Sequence, residues 1–285
     1  MSLRALIAAA RDRLTEAGIA RRQAAFDAEL LAREALGWDR ARLLAYQTDP
    51  PPPGFEAAFE PLLARRLRRE PAFTILGRRE FMGLEFEVTS EVLVPRPETE
   101  LIVEEAVACL KDAEREGDFT LADVGTGSGC LAVALAGEFP NARIVATDVS
   151  ETALAVAARN ARRHCVDGRI EFRAVSLLDG VAGPIRLIAS NPPYVASGDI
   201  AGLTPEVREY EPRVALDGGA DGLGLIRALL PQAAAVLEPG GWLIFEFGYG
   251  QEDGVREAIA QTDLELVRIR EDLQGIARTA VTRRR

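Results

Sequence analysis

The 285-residue sequence holds one histidine, His164, and three cysteines, Cys109, Cys130 and Cys165. A single imidazole excludes histidine-rich metal sites and leaves no Ser-His-Asp arrangement unless His164 itself serves. His164 sits beside Arg163 and Cys165 in a helical stretch, where it reads as a packed or solvated residue. The cysteines are scattered, odd in number and form no Cys-x-x-Cys pair. That disfavours both a disulfide framework and a thiolate zinc site, and no metal is expected. Long apolar runs are missing as well: no stretch approaches the ~18 uninterrupted residues of a membrane span. The first residues alternate apolar and charged side chains at helical spacing, unlike the block structure of a secretion signal, so a cytoplasmic protein without membrane contact is expected. Excess positive charge is also lacking. The net charge is −10; residues 1–90 carry 14 arginines against 13 acidic residues, and the remainder has a net charge of −11. Such a balance argues against direct binding of nucleic acid.

Periodicity divides what is present. Leu3, Leu6, Ile7, Ala10 and Leu14 share one helical face, and a second amphipathic run covers about 26–36 before Gly37 caps it. Pro50 to Gly54 must be a loop, and a third helix follows over about 55–69 until Pro71 stops it. Residues 1–75 thus read as a small all-helical domain, with Arg65, Arg66, Arg68 and Arg69 as candidates for gripping a partner. Phe81, Leu84, Phe86, Val88, Val92 and Val94 suggest short strands, which makes 76–98 a linking β-hairpin. Over 99–285 strands alternate with helices: strands near 121–124, 143–147, 185–189 and 242–247, helices over 152–163 and 223–237. This α/β alternation implies a parallel sheet covered on both faces, with ligands at the carboxyl ends of its strands.

Two motifs fall at such ends. Asp123-Val124-Gly125-Thr126-Gly127-Ser128-Gly129 follows a strand and opens a helix, so it can bring a ligand against bare backbone and a helix N-terminus. Cys130 stands where a dinucleotide fingerprint needs glycine, which points to an adenosine ligand without a pyrophosphate. Asp148 ends the next strand, where its carboxylate can accept from both ribose hydroxyls. The second motif is Ser190-Asn191-Pro192-Pro193-Tyr194. Its prolines leave carbonyls as free acceptors, Asn191 adds a side-chain oxygen, and Tyr194 offers an aromatic face. Two acceptors and a ring suit a planar –NH2 group. Taking both its hydrogens returns electron density to a nitrogen whose lone pair is otherwise delocalised, so catalysis is mostly positioning and electrostatics. Asn191, Pro192 and Tyr194 are the candidate catalytic residues, and Pro193 joins them in holding the acceptor.

With both motifs in hand the chain resembles the class I methyltransferases, and more narrowly the peptide chain release factor glutamine N5-methyltransferases, the PrmC/HemK group. The resemblance extends to Leu76–Phe86, Val92–Glu100, Ala215–Leu223, Gly248–Gln251 and Asp272–Gly275, and so covers essentially the whole chain. It implies a Rossmann-like seven-stranded sheet with the last strand antiparallel. It implies S-adenosyl-L-methionine as cofactor, held by Gly125, Thr126, Gly127, Ser128, Gly129, Asp148 and Asn191. In the stretch Ala174 to Leu178, where that group usually carries an acidic residue, Ser176 or Leu177 would be the adenine-side contact. Asn191 to Tyr194 would hold the glutamine of the Gly-Gly-Gln loop of class 1 release factors, Pro95 to Glu100 would line the cleft between the domains, and the enzyme would act as a monomer. A ribosomal-protein glutamine methyltransferase and an adenine-N6 methyltransferase of nucleic acid are the alternatives, since the same tetrapeptide serves both.

Overall fold

The computed structural model describes residues 1–110 and 118–285. They form two compact units, Met1–Arg78 with Thr204–Tyr210, and Arg79–Leu203 with Glu211–Arg285.

The first unit winds α1 (Leu3–Glu16), α2 (Arg21–Leu36), α3 (Arg40–Tyr46), α4 (Phe55–Leu67) and α5 (Ala72–Leu76). Ser2 caps α1 by accepting the Ala5 N–H at 3.3 Å, and Asp39 caps α3 by accepting that of Arg42 at 2.7 Å. Each cap satisfies a donor that the first helical turn leaves unpaired. Leu3, Leu14, Leu31 and Leu63 form the interior with Phe55, whose ring stacks on Phe59 at 5.0 Å. The four arginines at the end of α4 and just beyond it are not the open patch expected of them. Arg66 is 2% exposed, donating from Nε to Asp27 at 2.7 Å and from Nη2 to Glu206 at 2.8 Å. Arg69 grips both oxygens of Glu206 at 2.7 Å, and Arg65 pairs with Glu70 at 2.8 Å. Only Arg68 of the four is exposed. Glu206 arrives on a short helix, Pro205–Tyr210, that belongs to this unit although its sequence neighbours belong to the other. Burial alone would raise the Glu206 carboxyl, but the bonds from Arg69 and Arg66 outweigh it and hold it down at about 2.

The second unit begins at Arg79, within a hairpin of β1 (Arg78–Phe81) and β2 (Leu84–Glu87), and then turns through Pro97–Thr99 into α6 (Glu100–Cys109). A seven-stranded sheet follows, built of β3 (Phe119–Val124), β4 (Ala142–Asp148), β5 (Ile170–Ala174), β6 (Ile185–Ser190), β7 (Leu237–Glu246), β8 (Leu264–Glu271) and β9 (Ala277–Arg284), in the spatial order β5-β4-β3-β6-β7-β9-β8. All pairings are parallel except those of β9, the last strand, which runs antiparallel to both β7 and β8. The helices α7 (Cys130–Glu138), α8 (Glu151–Arg163), α9 (Gly224–Val236) and α10 (Glu252–Ala260) complete the layers. Successive strand residues serve opposite faces. Leu121, Leu187 and Ile244 pack with α6 and α7, whereas Ala122, Ile188 and Leu243 pack with α9 and α10. His164 closes α8, its ring 5.2 Å from that of Phe86 and its Nε2 in a 2.9 Å hydrogen bond with the Glu85 carbonyl, which is a packing role. Among the described residues no helix is long and apolar enough to cross a membrane, and no acidic, histidine and cysteine side chains cluster as a metal site.

Candidate active site

The strand order reverses at β3, whose neighbours are β4 on one side and β6 on the other. At such a switch point the connections leave in opposite directions and open a crevice beyond the strand ends. The register aligns Val124 with both Thr147 and Ser190, and the Ser190 hydroxyl donates to the Val124 carbonyl at 2.7 Å. The glycine turn, Asp148 and Asn191 are therefore brought to one edge by strand pairing.

Asp148 binds the glycine turn directly. Its Oδ2 accepts the Gly127 N–H and its Oδ1 that of Ser150, each at 2.9 Å, and each oxygen keeps a lone pair for a further donor. Gly129 takes a left-handed φ of +81° at the start of α7, and a Cβ there would lie 2.9 Å from that of Ala157. It permits α7 and α8 to approach closely. Asn160 on α8 ties the same turn to the hairpin, donating to the Ser128 carbonyl at 2.8 Å and accepting the Glu87 N–H at 2.8 Å. Beneath the turn lies Asp123, fully buried. Its Oδ2 accepts from Thr126 at 2.6 Å and from the Ala132 N–H at 3.0 Å, whereas Oδ1 has no partner among the described residues. Burial pushes the Asp123 carboxyl up to about 7. A buried, half-satisfied carboxylate is costly, and a cationic group bound over the turn relieves that cost. A sulfonium amino acid joined to adenosine fits this charge.

The fit has a pH signature. A cationic ligand favours ionised Asp123, so binding below about pH 7 must first expel a proton. Affinity for S-adenosylmethionine is thus expected to rise roughly tenfold between pH 6 and 8 and then level off. Calorimetry across that window checks it, with Asp123→Asn expected to flatten the slope; an equal slope in the variant would assign it to another group.

On the other side of the switch point, the Asn191 Nδ2 donates to Thr99 Oγ1 at 2.9 Å, and the Thr99 hydroxyl donates to Glu246 Oε2 at 2.7 Å. The Tyr194 hydroxyl donates to the other oxygen, Oε1, at 3.0 Å. Burial pushes the Glu246 carboxyl above its usual range; burial and then the charge of Glu246 push the Tyr194 phenol up. The segment after the tetrapeptide leaves at Val195 and rejoins it at Asp217 through a parallel bridge. Gly222, at φ +77°, then lies so close that a Cβ would stand 2.2 Å from the Tyr194 carbonyl, which also accepts from Gln251 at 2.8 Å. The Asn-Pro-Pro-Tyr loop is thus clamped from below.

One cavity of about 670 Å³ joins both sides. Of the expected residues, Gly125, Thr126, Gly127, Ser128, Asp148, Leu177, Asn191 and Pro193 line it, together with Pro95, Arg96 and Thr99. Gly129 lies behind the wall, Pro192 is buried, and Tyr194 sits back against Gly248 and Glu246. Leu177 holds a left-handed φ of +49°, unusual for a branched side chain, with its carbonyl accepting from Thr147 at 2.7 Å. At the mouth Arg96 donates to both oxygens of Glu211 at 2.6 Å.

A mostly parallel sheet of this order, a glycine turn after its first strand, an aspartate ending the second and Asn-Pro-Pro-Tyr after the fourth define a class I S-adenosylmethionine-dependent methyltransferase. Residues 5–77 match the family described as PrmC N-terminal domain, and residues 104–205 the methyltransferase small domain. The chain is 45% identical over 250 residues to the release factor glutamine methyltransferase of Geobacter sulfurreducens, covering 87% of this chain and 85% of that one, and 44% identical over 267 residues to that of Cereibacter sphaeroides, covering 94% and 93%. It belongs to the release factor glutamine methyltransferase family. Among solved structures, a methyltransferase from Pyrococcus furiosus shares the fold, with a TM-score of 0.52 at 20% identity, over 77% of this chain and 98% of that one.

Proposed function

We propose that the protein transfers a methyl group to the side-chain amide nitrogen, N5, of the glutamine in the Gly-Gly-Gln motif of class 1 peptide chain release factors. The observation that carries this reading is Asn191 in the cavity wall, its Nδ2 donating to Thr99, so that its Oδ1 is the acceptor this side chain has to offer. Gly125 to Ser128, Asp148 and Leu177 hold S-adenosylmethionine, which supplies a methyl group activated by sulfonium charge. Asn191 Oδ1 and the Pro192 carbonyl take the two amide hydrogens, Pro193 bounds the slot, and Tyr194 braces the loop. These contacts strengthen as positive charge develops on the amide nitrogen, so they act on the transition state more than on the bound substrate. No residue of matched pKa is required as a base, because a protonated amide gives its proton to water.

The release factor is recognised as a folded partner by the helical unit. With Arg65, Arg66 and Arg69 engaged internally, its exposed apolar side chains Phe26, Leu44 and Tyr46 are the stronger candidates for that contact. The enzyme acts as a cytoplasmic monomer without nucleic acid or membrane; the net charge of −10 favours a protein substrate over nucleic acid, and the names of the curated relatives favour a release factor over a ribosomal protein. The test is to incubate the protein with cofactor and purified release factor and to sequence the peptides by mass spectrometry. One added methyl on the Gly-Gly-Gln glutamine is expected; an unmodified peptide, or a methyl on another residue, would refute the assignment.

A further inference from the structure

Which end of a carboxamide faces a substrate is a matter of which hydrogen bonds surround it, since its oxygen and nitrogen are nearly the same size. Here the surroundings decide. Both Glu246 oxygens already accept, Oε2 from Thr99 at 2.7 Å and Oε1 from Tyr194 at 3.0 Å, and as a carboxylate the group has no hydrogen to give. Thr99 has one hydroxyl hydrogen and spends it on Glu246 Oε2 at 2.7 Å, which leaves its oxygen to accept from Asn191 at 2.9 Å. The group offered by Asn191 must then be Nδ2, and Oδ1 must be the atom left to the cavity. The polarity of the chain is set at its far end, by a residue that is itself 1% exposed and does not line the cavity.

We infer that Glu246 is a positioning residue for methyl transfer: through Thr99 it fixes the Asn191 carboxamide with its oxygen toward the acceptor nitrogen, and through the Tyr194 hydroxyl it fixes the other end of the same loop. Glu246 ends β7, where Phe245 pairs with Ser190, so the carboxylate stands beside Asn191 by strand register rather than by side-chain reach. Thr99 is 2% exposed and enters from the turn before α6. One carboxylate thereby holds three parts of the chain in a single protonation pattern. With a carboxamide at position 246 the pattern is no longer unique. Its nitrogen can donate to Thr99, whose hydroxyl then donates to Asn191 and turns that amide round, presenting Nδ2 to the substrate. Two donors then face each other, and the acceptor amide loses the interaction that localises its lone pair.

This inference rests on the glutamine reading above, and the test separates the two. Single-turnover methylation of full-length release factor is measured at saturating cofactor for the wild type, Glu246→Gln, Thr99→Val, Thr99→Ser and the Glu246→Gln/Thr99→Val pair. Glu246→Gln and Thr99→Val are each expected to lose roughly 10–100-fold in rate, as supporting residues behind a reacting group do. Thr99→Ser, which keeps the hydroxyl, is expected to stay within about threefold, and the pair to fall little below the worse single variant, because one chain is broken only once. The KM for release factor and the calorimetric Kd for cofactor are expected to stay within about threefold, which a general loss of packing would not allow. If Glu246→Gln does not fold, the two Thr99 variants decide: equal rates for valine and serine overturn the inference, and rescue by serine alone supports it. Undiminished rates in Glu246→Gln, or independent losses that multiply in the pair, also overturn it. Absence of methylation by the wild type overturns the glutamine reading, and this inference with it.

Discussion

Asn191→Ala is expected to lower the single-turnover rate of methyl transfer by about 10²–10³, the usual loss when one preorganised polar partner of a transition state is removed. A carboxamide nitrogen carries two hydrogens and a lone pair delocalised into its carbonyl. It becomes a nucleophile only as that lone pair localises, and acceptors placed on its hydrogens favour this change more as it proceeds. Asn191 lies in the cavity wall with Nδ2 bound to Thr99 at 2.9 Å, so its oxygen is the side-chain acceptor on offer there. Alanine removes that acceptor and leaves the Thr99–Glu246 bond in place, so the fold survives. Asn191→Asp keeps an acceptor but adds a charge near a cationic cofactor, and a rate between wild type and alanine is expected. The measurement must be a single turnover at saturating cofactor, which separates chemistry from binding. A variant that lost only cofactor affinity and kept its rate would make the motif a cofactor clamp, and the amide-acceptor reading would fail.

The second large effect lies far from the chemistry. Arg66→Ala is expected to destabilise the helical unit by about 3–5 kcal/mol, the range for removing one partner from a buried ion pair. Arg66 is 2% exposed and Asp27 1% exposed; without the guanidinium, the bond left to Asp27 among the described residues is that from Gln23 at 2.7 Å, and Glu206 keeps Arg69. Burial already raises the Asp27 carboxyl, and Arg66 is what opposes that rise. Arg68→Ala is the control: its side chain is exposed, and a change within about 0.5 kcal/mol is expected. Thermal or denaturant unfolding of the full chain measures both. Similar stability for Arg66→Ala and Arg68→Ala would mean that the buried network contributes nothing net.

The contrast between these two arginines marks what a sequence can and cannot disclose. The glycine turn, Asp148 and Asn-Pro-Pro-Tyr were legible because each motif is contiguous and ends a strand whose apolar run is plain. The linking hairpin and the helical segment before it were legible for the same reason, being local patterns of period 2 and 3.6. Thr99 and Glu246 were not, since the bonds that unite them with Asn191 cross 92 and 147 residues. Glu246 looks like any strand-end acid until register sets it beside the loop. In the sequence Asp123 reads as part of the glycine turn, and its oxygen without a partner among the described residues appears only when its neighbours are known. Four arginines within residues 65–69 look like a surface patch because the carboxylate gripping Arg66 and Arg69 stands 140 and 137 residues away. Edge strand β5, with its alternation of Ile170, Phe172 and charged residues, carries too little apolar sequence to stand out.

The position of Glu206 also sets a timetable. A chain made from its N-terminus exposes α1 to α5 first, yet the carboxylate shared by Arg66 and Arg69 is added about 140 residues later. At elongation rates of about 5–20 residues per second, the helical unit waits roughly 7–30 s with two arginines short of their partner. It is therefore finished after four of the seven sheet strands, β3 to β6, have been synthesised rather than before, and the segment that finishes it, Thr204–Tyr210, follows directly on the stretch carrying the Asn-Pro-Pro-Tyr loop. A nascent chain in which the helical unit is complete has, by then, already made its acceptor loop.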